Sequence, residues 1–199
     1  MAPTKQHDGQ PGDLGLRLLS AAILIPFALY VVWTGGALLA VACAIFAALM
    51  AFEWIRMTAS PSLKSFVWLA LLPFVPAILG TPIWAVWALL GCALVASFTH
   101  PLSEKRSAEA FGLFYVSGMP LALYLLRDGP WDGIAAALIF MGIVWGSDSA
   151  AYFSGRGFGG PALHPDSPSK TWSGAIGAVI FSALCGFLAA RITDGSLIA

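Results

Sequence analysis

The chain has 199 residues, of which 59% are hydrophobic and only 10% are charged, and its formal net charge is zero. A typical soluble domain is about 25% charged, so this composition, with a mean hydropathy of +0.84, excludes an ordinary soluble domain and predicts an integral membrane protein. The balanced charge also argues against a nucleic-acid-binding protein, because it provides no basic surface for a phosphate backbone.

Apolar runs of spanning length follow a polar N-terminal tail, residues 1–15, which is expected to be disordered. Cleavage of the first run as a signal peptide is less favoured, because a second apolar run follows almost at once. Spanning helices need about 20 mostly apolar residues. The sequence predicts an all-α, polytopic transmembrane domain over residues 16–199 with about seven helices, near 16–34, 36–54, 65–80, 82–99, 110–126, 132–153 and 172–191.

Proline and glycine punctuate several of these predicted spans. Gly80, Thr81 and Pro82 alone separate the third span from the fourth, which predicts a tight helical hairpin. Prolines inside spans should kink them, because each removes a backbone hydrogen bond; these are Pro26, Pro73, Pro76 and Pro120.

The basic residues predict the orientation of the chain. If the N-terminus is cytosolic, eight of the ten basic residues fall on the cytosolic side, as the positive-inside rule requires. These eight are Lys5, Arg17, Arg56, Lys64, Lys105, Arg106, Arg156 and Lys170, against Arg127 and Arg191 on the other side. The polar loop of residues 154–171 is therefore expected to face the cytosol, with the protein in the inner, cytoplasmic membrane.

Three glycines at this loop match the spacing of a dinucleotide-binding fingerprint. Gly155, Gly157 and Gly160 fit G-x-G-x-x-G, but an apolar helix precedes them and Pro161 follows. The fingerprint requires a preceding strand and a helix that opens at the motif. A flexible helix exit is the simpler interpretation, and a loop whose backbone N–H groups approach phosphate is another.

Asp148 lies near the end of a strongly apolar run, with Ser149 beside it, Tyr152 one turn later and Arg156 in the loop that follows. Ionisable residues in spans are costly and usually face a cavity or a partner. One interpretation is a carboxylate simply wetted at the interface. The other is a ligand for Mg²⁺, since hard cations prefer oxygen ligands.

The segment SPSKTWSG, residues 167–174, offers several polar groups just before the last predicted span. Thr171 or Ser173 is suited to cap that helix, whose N-terminus favours anions. Lys170 supplies a cation for a phosphate, although a lysine at a membrane interface often only extends towards water. The residues that would share such a site are Ser167, Ser169, Lys170 and Thr171.

Together the two segments resemble the phosphatidate cytidylyltransferases, also called CDP-diacylglycerol synthases. That family shows W-G-x-D-[ST]-x-A-Y-x-x-G-[RK]-x-x-G and then S-P-x-K-T-[WV]-x-G. The first block is matched by Trp145, Gly146, Asp148, Ser149, Ala151, Tyr152, Gly155, Arg156 and Gly159. The second is matched by Ser167, Pro168, Lys170, Thr171, Trp172 and Gly174.

The resemblance implies that CTP and phosphatidate react to give CDP-diacylglycerol and pyrophosphate, with Mg²⁺ as cofactor and membrane lipids around the protein. Catalytic roles fall on Asp148, which would also hold the metal, and on Lys170. Substrate-binding roles fall on Ser149, Tyr152, Arg156, Ser167, Ser169 and Thr171.

The chain departs from the family pattern near its C-terminus, where the acidic signature of the family is not found before Ala199. Three explanations are a truncated enzyme, half of a split enzyme with a complementary C-terminal part, or a non-catalytic relative. A homodimer is also an open expectation. The rival class is a transporter or membrane scaffold, which should gather its polar residues near mid-membrane rather than at one face.

Overall fold

The computed structural model of the chain describes residues 11–58, 63–99, 104–128 and 133–193. Two compact units divide after Ile134, and they are called here the N-terminal unit and the C-terminal unit. The N-terminal unit holds α1 (Pro11–Thr34), α2 (Gly36–Thr58), α3 (Leu63–Leu71), α4 (Phe74–Ile78), α5 (Pro82–Thr99) and α6 (Glu104–Asp128). The helix that begins at the division, α7 (Ile134–Phe158), leads into β1 (Ala162–His164), β2 (Ser167–Thr171) and α8 (Trp172–Thr193) of the C-terminal unit.

The protein is an all-α polytopic membrane protein, as its composition predicts. Four helical segments of the described residues are long and apolar enough to cross a membrane, namely Gly36–Thr58, Ala110–Asp128, Ile134–Phe158 and Trp172–Arg191. Three shorter apolar segments, Leu19–Thr34, Ser65–Ile78 and Pro82–Ser97, coincide with the remaining predicted spans. The positions of the predicted spans are therefore confirmed, while the number that cross the bilayer stays a prediction.

Two predicted boundaries are wrong. Residues 11–15, inside the predicted tail of residues 1–15, belong to α1; residues 1–10 lie outside the described residues. Helix α7 continues to Phe158, beyond the predicted end at residue 153. The predicted loop of residues 154–171 is thus a helix end followed by a β-hairpin.

The core of the N-terminal unit forms where α2 packs against α6. The buried face of α2 carries small residues such as Ala47 and Ala51, which let two helices approach closely in a membrane protein. Gly112 on α6 serves the same purpose, because a Cβ there would overlap the indole ring of Trp54. The fully buried residues of α6 that complete this core include Leu113, Val116, Ser117 and Leu121.

The chain between α3 and α5 is broken at Pro73, and α6 supplies polar partners at the break. The Ser117 hydroxyl donates to the Ala70 carbonyl at 2.9 Å, and the Tyr124 hydroxyl donates to the Ala77 carbonyl at 2.8 Å. Broken helices inside a membrane need such partners, because no water is present to satisfy the carbonyls. The predicted tight turn is confirmed at Gly80, which has a φ of 74°.

The end of α6 fastens the turn between α1 and α2. Arg127 donates to the carbonyls of Val32 at 2.8 Å and Trp33 at 2.9 Å, and Asp128 accepts the Gly36 N–H at 2.8 Å. A cation therefore lies at the C-terminus of α1 and an anion at the N-terminus of α2, the signs that the two helix dipoles favour. We call Arg127 and Asp128 the helix clasp.

In the C-terminal unit, β1 and β2 pair in antiparallel fashion, with Ala162 opposite Thr171 and His164 opposite Ser167. Helices α7 and α8 approach closely through small residues. A Cβ on Gly174 would lie 2.8 Å from the Ala151 carbonyl oxygen. This close packing brings the end of α7, the hairpin and the start of α8 to one place.

Candidate functional site

A cavity of about 660 Å³ lies within the C-terminal unit, between the end of α7, the hairpin and the start of α8. Ligand pockets commonly measure about 300–1,000 Å³, so this volume suits a small-molecule ligand. Its lining residues are Asp148, Ala151, Tyr152, Gly155, Arg156, Leu163, Ser169, Lys170, Thr171, Gly174 and Ala175.

Helix α7 contributes the polar face of this cavity through Asp148, Tyr152 and Arg156. These residues are spaced four apart, so they lie one above another on the same side of the helix. The Arg156 guanidinium donates to the Tyr152 hydroxyl at 2.8 Å and lies 6.0 Å from the centre of the Tyr152 ring. Tyr152 thereby holds Arg156 along the cavity wall.

The hairpin contributes the facing wall. Strand β2 brings Ser169, Lys170 and Thr171 to the cavity, and β1 adds the apolar side chain of Leu163. The lining thus carries two basic groups, Arg156 and Lys170, against the single carboxylate of Asp148. Within the described residues, neither Lys170 nor Asp148 has an ion-pair partner, so both charges are available to a ligand.

Hydroxyl groups at the start of α8 join the hairpin to the end of α7. Thr171 is the N-cap of α8, because its hydroxyl oxygen accepts the Gly174 N–H at 3.2 Å. The same oxygen lies 3.0 Å from the Ser173 hydroxyl, which in turn donates to the Gly159 carbonyl. The Trp172 N–H donates to the Pro161 carbonyl at 3.2 Å, which gives the junction another bond.

The glycines of the first motif have two different roles. Gly155 and Gly157 lie inside α7, so the predicted helix exit is wrong for them. The exit occurs at Gly159 and Gly160, whose φ values are 63° and 115°. Gly155 instead makes room for the hairpin, because a Cβ there would lie 2.9 Å from the Thr171 hydroxyl oxygen.

Two predicted substrate ligands do not line the cavity. The Ser149 hydroxyl donates to the Trp145 carbonyl of its own helix at 2.9 Å. Ser167 lies at the far end of β2, opposite His164. Conversely, Leu163 lines the cavity although the sequence predicts no site role for it. Ser173 is predicted only as a helix cap; its position two residues after Thr171 was the available signal that the two hydroxyls could pair.

The cavity offers few metal ligands. No cluster of three or more His, Cys, Asp or Glu side chains that could hold a metal occurs among the described residues. Asp148 is the one carboxylate of the lining, and Ser169 adds a hydroxyl oxygen, whereas the Thr171 hydroxyl is engaged at the start of α8. Such a donor set would hold Mg²⁺ only together with waters and the oxygens of a bound ligand, because Mg²⁺ commonly takes one or two carboxylates and keeps several waters.

Known proteins resemble the chain over nearly its whole length. A model of the cytidylyltransferase family matches residues 15–198. The phosphatidate cytidylyltransferase of Brucella suis biovar 1 (strain 1330) is 33% identical over 191 residues, which are 90% of this chain and 68% of that protein. The phosphatidate cytidylyltransferase of Pseudomonas aeruginosa (strain PAO1) is 29% identical over 179 residues, 82% of this chain and 65% of that protein. No solved structure is significantly similar to the chain.

Proposed function

The chain belongs to the cytidylyltransferase family, and we propose that it transfers a cytidylyl group from CTP to phosphatidate, giving CDP-diacylglycerol and pyrophosphate. Its relatives in Brucella and Pseudomonas carry the name of this activity. The observation that carries the proposal is the cavity of the C-terminal unit, which is lined by residues of both sequence blocks that resemble the family.

The charges of the cavity suit this reaction. A phosphate oxygen of phosphatidate forms a bond to the α-phosphorus of CTP, while the bond from that phosphorus to the β-phosphate oxygen breaks and pyrophosphate leaves. Both substrates are anionic, so catalysis depends on holding them in line and neutralising their charge. Arg156 and Lys170 are the basic residues of the lining, and Tyr152 orients Arg156 by its hydrogen bond.

Asp148 is the residue that would hold Mg²⁺, together with the substrate phosphates. When bound, Mg²⁺ would neutralise the triphosphate and the leaving pyrophosphate. The start of α8 borders the same cavity at Gly174 and Ala175, and the positive end of its helix dipole favours a bound phosphate. Ser169 adds a hydroxyl as a further hydrogen-bonding group for the substrates. Ser149 and Ser167 stay predicted ligands without a place in the lining.

The same proposal includes an orientation of the chain in the membrane. The cavity faces the cytosol of the inner membrane, where CTP is found, because the basic residues near it follow the positive-inside rule. Two of its three charged side chains lie away from the middle of a span, Arg156 in the last turn of α7 and Lys170 in β2, which favours an enzyme over a transporter. A homodimer or a complementary chain stays a prediction, which the mass of the detergent-solubilised protein tests.

The test is turnover of radiolabelled CTP by the purified chain in mixed micelles that contain phosphatidate and Mg²⁺. We expect labelled CDP-diacylglycerol, with none formed when phosphatidate is replaced by diacylglycerol, which lacks the attacking phosphate. Chelation of Mg²⁺ should abolish turnover, and its return should restore it. If no Mg²⁺ concentration yields labelled lipid, the proposal for this chain is overturned.

A further inference from the structure

We propose that Thr171 is a positioning residue, whose hydroxyl holds Lys170 at the cavity and does not itself bind substrate. The inference rests on the proposed function, because it assigns a role within the same site. It starts from the hydrogen bonds of Thr171, whose side chain lines the cavity and whose position in the motif had suggested a substrate ligand.

The Thr171 hydroxyl is already engaged within the protein. Its oxygen accepts the Gly174 N–H at 3.2 Å and lies 3.0 Å from the Ser173 hydroxyl oxygen. The Ser173 hydroxyl donates its only proton to the Gly159 carbonyl. In the Thr171–Ser173 hydrogen bond the donor is therefore Thr171. The Thr171 hydroxyl therefore both donates and accepts inside the fold, which leaves little hydrogen-bonding capacity for a substrate.

The same bonds fix the place of Lys170. Residue 170 is joined directly to the N-cap of α8, so the cap determines where β2 meets the helix. Through Ser173, the cap is also fastened to Gly159 at the exit of α7, and thus to the helix that carries Arg156. The hydroxyl pair therefore sets the position of Lys170 relative to Arg156.

The surroundings of Thr171 support a positional role. A Cβ on Gly155 would lie 2.9 Å from the Thr171 hydroxyl oxygen, and a Cβ on Gly174 would lie 3.3 Å from it. Thr171 is thus seated between two glycines, one on each helix, with little space beside its hydroxyl. Such close packing suits a residue that sets the separation of two elements.

The experiment compares Thr171→Val, which keeps the shape but removes the hydroxyl, with Thr171→Ser, which keeps the hydroxyl. A displacement on the order of 1 Å can cost about 100-fold in rate, so we expect Thr171→Val to lower kcat about 10- to 100-fold. Thr171→Ser should restore most of that loss. Ser173→Ala, which leaves the cap on Gly174 intact, provides a second variant with a smaller expected loss.

A double-mutant cycle with Lys170→Ala separates positioning from substrate contact. If Thr171 acts through Lys170, Thr171→Val should cause no further loss in the Lys170→Ala background. The proposal would be overturned if the loss of kcat in the double variant equalled the product of the two single losses. Wild-type turnover by Thr171→Val would overturn it as well.

Hydrogen exchange without substrate keeps this proposal distinct from the proposed function. Thr171→Val should speed exchange of the Gly174 amide at least about tenfold, because that N–H loses its acceptor, whereas Thr171→Ser should not. Unchanged exchange would refute the positioning role even in an active enzyme. Faster exchange in a chain that never turns over CTP would show that only the proposed function had failed.

Discussion

The N-terminal unit and the C-terminal unit bury very different shares of their spanning helices. In the N-terminal unit, 33% of the α2 span and 39% of the α6 span are buried, whereas α7 and α8 bury 11% and 6%. The C-terminal unit instead carries the cavity with its charged lining. The contrast indicates that the N-terminal unit supplies most of the packing stability and the C-terminal unit supplies the chemistry, so substitutions in the two units should affect different measurements.

The largest expected effect is on stability, in the N-terminal unit. Leu113 is fully buried in the core around α2 and α6. Leu113→Ala should lower the free energy of unfolding by about 2–5 kcal/mol, because it leaves a cavity that the neighbouring helices fill only partly. Unfolding in SDS, followed by circular dichroism, measures the loss.

The matched control is Leu184→Ala on α8, where the side chain is 57% exposed. Its effect should stay within about 0.5 kcal/mol. Equal losses in the two variants would contradict the assignment of packing stability to the N-terminal unit.

The next effect is on catalysis, in the C-terminal unit. Lys170→Ala should lower CTP turnover about 100- to 1,000-fold, the usual cost of removing one charge-stabilising group from an active site. Its SDS unfolding should match that of the wild type, because the side chain is exposed. Arg191→Ala, which removes a basic residue of α8 outside the cavity lining, should retain wild-type turnover. Retention of turnover by Lys170→Ala would remove this residue from the site.

A smaller effect on the free energy of unfolding is expected when one of two ion pairs of the N-terminal unit is broken. The helix clasp is largely buried, with side-chain exposures of 16% for Arg127 and 19% for Asp128. Arg127→Ala should cost about 1.5–3 kcal/mol, because charged hydrogen bonds to the Val32 and Trp33 carbonyls are lost. The SDS unfolding measurement applies here as well.

The control for the clasp is the ion pair of Glu53 and Arg56 on α2, whose charged atoms lie 3.2 Å apart but whose side chains are 62% and 65% exposed. Arg56→Ala should cost at most about 1 kcal/mol, because water screens exposed pairs. A larger loss of unfolding free energy from Arg56→Ala than from Arg127→Ala would contradict the expectation that the buried helix clasp stabilises the unit more than the exposed ion pair does.

The smallest effect concerns the metal. Asp148→Asn should raise the Mg²⁺ concentration for half-maximal turnover about tenfold, because an amide oxygen carries no net charge to hold the cation. Asp166→Asn is the matched control, since Asp166 lies in the hairpin turn outside the cavity lining, with its side chain 90% exposed. A Mg²⁺ titration that is the same for both variants would exclude Asp148 as the metal-binding residue.

The helices could be predicted well from the sequence, because an apolar run of spanning length has few alternatives in a membrane. The hairpin could not. Strand β1 has only three residues and β2 has five, SPSKT, which show neither alternating hydrophobicity nor strong β-propensity. Pro168 within β2 argues further against a strand. The pairing is a tertiary result of the turn at residues 165–166 and of the contacts of both strands with α8.

The contacts of the helix clasp could not be predicted from the sequence either. In the sequence, Arg127 and Asp128 are adjacent charges at the end of a span, and they suggest only an exposed interface. Their partners, such as Val32 and Gly36, are more than ninety positions away along the chain. Local spacing carries no information about contacts of that separation.

By itself, the sequence determined that the chain enters a membrane and that Asp148 and Tyr152 share one helical face, since both follow from hydropathy and the period of the α-helix. The structure added Arg156 to that face, because α7 continues to Phe158. Only the tertiary structure decided what lies opposite that face. Hairpin pairing brought Lys170 to the cavity and left Ser167 outside its lining. The hydrogen bond from Ser173 to the Gly159 carbonyl made the Thr171 hydroxyl a donor within the fold. Strand pairing and the bond between Ser173 and Gly159 join residues of different elements, and residue spacing does not encode such contacts.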